Sequence, residues 1–147
     1  MKRMILTLAM VFILGLFLAF SAQAADSWKT SNQVSIAWDP VTALTDGSPL
    51  PAGDVIKFDL FVRPDGDTGA GTKVTPTPIA STTGIIVFGA EGRWRVGVNA
   101  LRYNAAGELL ATSTTAWSSD VAACQGGNTF GVIFFVAPAG VKNLNTP

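Results

Sequence analysis

The chain contains no histidine, and its only cysteine is Cys124. The first absence removes the Ser-His-Asp and Cys-His arrangements, histidine-ligated zinc, and the side chain that most often serves as a general base near neutral pH. The second means that no disulfide can close within one chain, so stability has to come from packing. Charge is scarce and balanced, with ten basic residues against ten acidic ones. General nucleic-acid binding, which needs a basic surplus, is therefore disfavoured. Beyond residue 24 no stretch longer than a turn shows capped helical spacing.

What is there begins with an export signal. Met1-Lys2-Arg3 is basic, Met4 to Phe20 is apolar, and Ser21-Ala22-Gln23-Ala24 places small residues at the two positions that signal peptidase inspects. Cleavage is expected after Ala24. An uncleaved anchor competes with that expectation, because the apolar stretch approaches the ~18 residues that span a bilayer. Ala25-Asp26, with no basic stop signal behind it, favours removal, and a lipoprotein is disfavoured because no cysteine follows the apolar stretch. The sequence thus divides into a signal peptide (1–24), one domain (25–120) and an apolar strand with a tail (121–147). Loss of Lys2 and Arg3 leaves eight basic against ten acidic residues. The destination is the periplasm, the cell surface or the exterior, with membrane contact only through the signal before cleavage.

Three segments alternate with a period of two: Val34-Ile36-Trp38, Ile56-Phe58-Leu60-Val62 and Trp94-Val96-Val98-Ala100. Each puts its apolar residues on one face of a strand. Pro40 and Pro64 close the first two, since proline cannot continue a ladder. Thr72 to Thr75 reads as a short edge strand before Pro76 and Pro78, and Thr83 to Phe88 as a β-branched strand. Asn104-Ala105-Ala106-Gly107 turns the chain into Glu108 to Ser113, with a continuation through Ala116-Trp117-Ser118. Short strands separated by Gly and Pro turns predict an all-β fold, an antiparallel β-sandwich.

The segment Val34 to Ser118 resembles a fibronectin type III domain. Val34-Ser35-Ile36-Ala37-Trp38-Asp39-Pro40 resembles that family's second strand with its core tryptophan, and Ile56 to Val62 its third. Phe88, Gly89 and Trp94 to Ala100 resemble the approach to the sixth strand, with Trp94 where the family usually has a tyrosine. Gly107-Glu108 and Ala116-Trp117-Ser118-Ser119 resemble the last turn and strand. The resemblance implies an immunoglobulin-like sandwich acting through surface contacts.

The run Phe130-Gly131-Val132-Ile133-Phe134-Phe135-Val136 is strongly apolar and must be covered. Either it folds onto its own domain or residues 128–136 are donated to a neighbouring subunit by strand addition. Ala137 to Leu144 reads as a linker or a flexible terminus. Cys124 is read as a small buried apolar residue, with pairing between chains or a reactive thiol as the alternative.

No catalytic, cofactor or metal site emerges. Asp65-Gly66-Asp67 invites a calcium reading, but Gly69 and Pro76 stand where further ligands would be needed. Glycines 66, 69 and 71 lack the Lys-Ser/Thr of a phosphate cradle. Strand parity does produce one candidate binding face. The third and sixth strands are sheet neighbours in this architecture, so Lys57, Asp59, Phe61, Arg63, Arg93, Arg95 and Asn99 share the side away from the core. Arginine and exposed aromatics favour binding, of an acidic protein or an anionic glycan; the plainer expectation is a solvated face with Asp59 answering a neighbouring arginine. The expected role is a non-catalytic module for adhesion, envelope organisation or assembly. A self-associating surface or filament subunit is the alternative, and an accessory or catalytic domain of a carbohydrate-active system is the rival from another class.

Overall fold

A computed structural model describes residues 25–139. Residues 1–24, where a signal peptide is expected, and the end of the tail, 140–147, lie outside the described residues. The chain forms strands β1 (Ala25–Lys29), β2 (Gln33–Ala37), β3 (Val55–Pro64), β4 (Thr72–Lys73), β5 (Thr83–Val87), β6 (Gly92–Tyr103), β7 (Leu109–Thr112), β8 (Ala116–Trp117) and β9 (Phe130–Phe134), with two short 3-10 turns at Val121–Ala123 and Gln125–Gly127. The fold is all-β.

The strands divide between two sheets. One has seven strands in the order β1-β9-β6-β3-β4, with β7 and β8 also on β6; the other is the antiparallel pair β2-β5. The long β6 organises the larger sheet. One of its edges pairs with β3 from Trp94 to Tyr103, and the other is shared by three short strands: β9 at Gly92–Trp94, β8 at Gly97–Val98 and β7 at Leu101–Tyr103. Asn104 turns the chain from β6 to β7, its side-chain oxygen accepting from the amides of Ala106 and Glu108. Gly107, at φ 81°, takes the left-handed conformation that this turn requires.

Between the sheets lies a core of Val34, Leu60, Val62, Ile86, Phe88, Val96, Val132 and Phe134, flanked by Ile36, Trp38, Val98, Trp94 and Phe130. The alternation read in β3 places Phe58, Leu60 and Val62 inward, and each is buried. Full burial of a side chain such as Leu60 or Ile86 contributes about 1.5–3 kcal/mol. Trp38 meets Phe58 edge-on at 5.2 Å, and Trp94 stacks on Phe88 at 5.7 Å. The indole N–H of each tryptophan is buried without an acceptor, so both act by volume rather than by tying a corner.

One expectation needs correction. The pairing is not wholly antiparallel, because β1 runs parallel to β9, Ala25 opposite Phe130 through Lys29 opposite Phe134. In the described structure β9 lies inside its own chain, between β6 and β1. Val132 and Ile133 of β9 are among the most deeply buried side chains. The chain reaches β9 only after β8 and the two turns, so β9 runs against β6 and β1 is laid along β9's far side. The strand β1 itself carries too few apolar residues to be evident from alternation.

Candidate contact face

In the β3/β6 register, Lys57 lies opposite Leu101, Asp59 opposite Asn99, Phe61 opposite Gly97 and Arg63 opposite Arg95. Side chains alternate across a strand, so these residues share the face away from the core. Arg93 extends the row beyond β3, opposite Ile133 of β9. The seven residues proposed from parity therefore do lie on one face. They do not form one open basic patch.

The middle of the face is closed. Asp59 is only 5% exposed, contrary to a solvated position. Its carboxylate takes Lys73 Nζ of β4 at 2.7 Å and the Thr75 hydroxyl at 3.1 Å, so its partner is an edge-strand lysine and not an arginine. Asn99 beside it is buried, and its side-chain oxygen has no donor. Trp117 of β8 covers Gly97: a methyl group on that glycine would meet the indole at 2.8 Å. At one end Lys57 stands over the ring of Tyr103, 5.0 Å from its centre. Phe61 is half-buried between these groups.

The arginines gather at the other end. Arg95 Nε donates to Asp65 Oδ1 at 2.6 Å, and Arg93 pairs with Asp26 of β1 at 3.4 Å. Arg63 differs from both. Its guanidinium lies 4.0 Å over the Trp117 ring and donates to the Gly69 carbonyl at 3.0 Å and the Ser119 hydroxyl at 3.2 Å. Among the described residues it is within ion-pair distance of no carboxylate.

Comparison with family models, with curated proteins and with solved structures yields no match.

A guanidinium has five N–H donors. Arg63 spends one on Gly69 and one on Ser119, and its Nε–H is buried without an acceptor. Two N–H groups remain, the number a bidentate carboxylate takes. The acids of the nearby loop are already committed: Asp65 to Arg95, and Asp67 to the Gly69 amide at 2.7 Å. Among the described residues no group of three or more acids or cysteines converges as a metal site would require.

Away from this face, a cleft of about 440 Å³ opens between the sheets, lined by Ile36, Trp38, Val98, Cys124, Gln125 and Phe130 among others. Cys124 is half-buried there, its sulfur 3.5 Å from the Ser118 carbonyl. Burial pushes its thiol pKa up from the ordinary 9.0, and the Asp120 carboxylate acts in the same direction, against a weaker opposite pull from Arg95. A thiol so placed is a poor nucleophile at neutral pH.

Sequence reasoning missed Trp117, Ser119 and Lys73, which close the face. One signal was available: Gly97 sits mid-strand in an otherwise alternating run, and an interior strand glycine often marks a close approach by another group.

Proposed function

We propose that this chain is an exported, non-catalytic contact module on an immunoglobulin-like sandwich of the fibronectin type III kind, holding a carboxylate-bearing partner at the arginine end of its outer sheet face. Two sheets of unequal size around a tryptophan-containing core are consistent with that architecture. The reading rests chiefly on Arg63. A half-buried guanidinium held only by neutral groups has lost hydration without gaining a counter-ion, and a carboxylate from outside supplies one. Protein and anionic glycan both offer that group.

The test is titration of the protein with an oligoglutamate peptide and with polygalacturonate, following binding by calorimetry. Arg63→Ala should weaken binding by about tenfold or more, since a hydrogen bond to a charged group contributes roughly 1.5–3 kcal/mol. Binding that is equally tight in Arg63→Ala, or absent for both probes, ends the proposal.

A further inference from the structure

The two ends of the seven-stranded sheet are guarded very differently. At one end β4 is two residues long and is followed by Pro76 and Pro78. Shortness and proline are usual means of preventing edge pairing. At the other end β1 is five residues long, ends in Lys29, has neither proline nor a bulge, and among the described residues pairs on one side only. Its acid, Asp26, is occupied by Arg93. Trp28 stands 67% exposed on this edge, in contact with Phe135, itself 46% exposed, at 6.3 Å between ring centres.

The direction of β1's backbone groups follows from one hydrogen bond. Lys29 O accepts from Phe135 N, so the peptide groups of Lys29 face β9. Alternation then turns those of Ser27 and Ala25 toward β9 as well, and those of Asp26 and Trp28 outward. An outward pair two residues apart is self-complementary. In an antiparallel pairing of two β1 strands about Ser27, Asp26 of each copy exchanges both backbone hydrogen bonds with Trp28 of the other. The Ser27 residues then face each other on the two-fold axis, their Cα atoms about 4.5 Å apart. The same pairing sets the Trp28 indole beside the partner's Asp26, and so beside the guanidinium of the partner's Arg93, whose side chain is 58% exposed in the single chain.

We infer that β1 is a homodimerisation edge, on which a second copy of this chain extends the seven-stranded sheet across a two-fold axis at Ser27. The occupant is a second copy because the outward hydrogen-bonding groups match themselves in this register and because the indole of one chain meets an exposed cation of the other. β9 stays within its own chain throughout, so this association is distinct from donation of residues 128–136, and it does not depend on Arg63.

Sedimentation of the natural protein should show a monomer–dimer equilibrium. Trp28→Lys, which sets a cation against the partner's Arg93, should weaken the dimer by roughly tenfold or more, the effect of losing an aromatic hot spot. At dilutions where the natural protein is monomeric the two unfolding curves should match, because Trp28 is exposed. Asp26→Pro is the second variant: it removes an outward N–H and leaves the Ser27 and Lys29 bonds to β9 in place, and it too should shift the equilibrium to monomer. In a Cys124→Ser background, Ser27→Cys should form a disulfide-linked dimer under mild oxidation and Lys29→Cys should not. A monomer at every concentration, a dimer indifferent to both edge variants, or Lys29→Cys linking as readily as Ser27→Cys overturns the inference.

Discussion

The indole of Trp117 rests on the backbone of β6 at Gly97, so closely that the glycine has no room for even a methyl group. Thr115 crowds the same spot, 2.8 Å from where that methyl would stand. Gly97→Ala should therefore lift Trp117 from the sheet and cost about 1–3 kcal/mol, the usual effect of overpacking. Urea unfolding measures it. An unchanged midpoint would show that the indole is not held there.

Ile85 and Ile86 are neighbours of identical chemistry on β5, one 62% exposed and the other fully buried. Ile86→Ala should cost about 2–5 kcal/mol through the cavity it leaves. Ile85→Ala should change stability by less than about 0.5 kcal/mol. Comparable losses in thermal unfolding would mean that the parity of this strand is wrong.

Asp59 and Lys73 form the ion pair that closes the centre of the outer face. Lys73→Met leaves a buried carboxylate with only Thr75, and should cost about 1–2 kcal/mol, less than for a fully buried pair because Lys73 is partly solvated. Asp59→Asn in the Lys73→Met background should recover part of that loss. A double-mutant cycle by chemical denaturation reads the coupling, and a value near zero would contradict the closed geometry.

The Cys124 thiol has a folded-state pKa above its ordinary value. Its contribution to stability is thus fully present below pH 9.0 and declines as pH rises through the folded value. Alkylation by iodoacetamide near neutral pH should be slower than for an unfolded control of the same chain, with the thiolate forming only at more alkaline pH. Equal rates in folded and unfolded protein would rule this out.

The sequence made the all-β fold legible because β3 and β6 alternate cleanly and proline or glycine marks their ends. Parity also brought the seven candidate residues to one face. It could not show what covers that face. The lid comes from Trp117, far along the chain from Phe61, and the partner of Asp59 comes from a two-residue strand whose docking depends on tertiary contact. β1 was invisible for a related reason, since Ala-Asp-Ser-Trp-Lys becomes a strand only once β9 is there to receive it. The tail's apolar run was conspicuous, but its destination between β6 and β1 is a matter of topology, which periodicity does not encode.

The parallel course of β1 and β9 bears on how this chain would carry load. Ala25 starts one strand and Phe134 ends the other, at opposite ends of their shared ladder. Tension applied along the strands at these two points would slide one past the other and strain every rung together, whereas an antiparallel terminal pair would peel open one rung at a time. A tether attached at these points would thus meet a mechanical clamp before it reached the core.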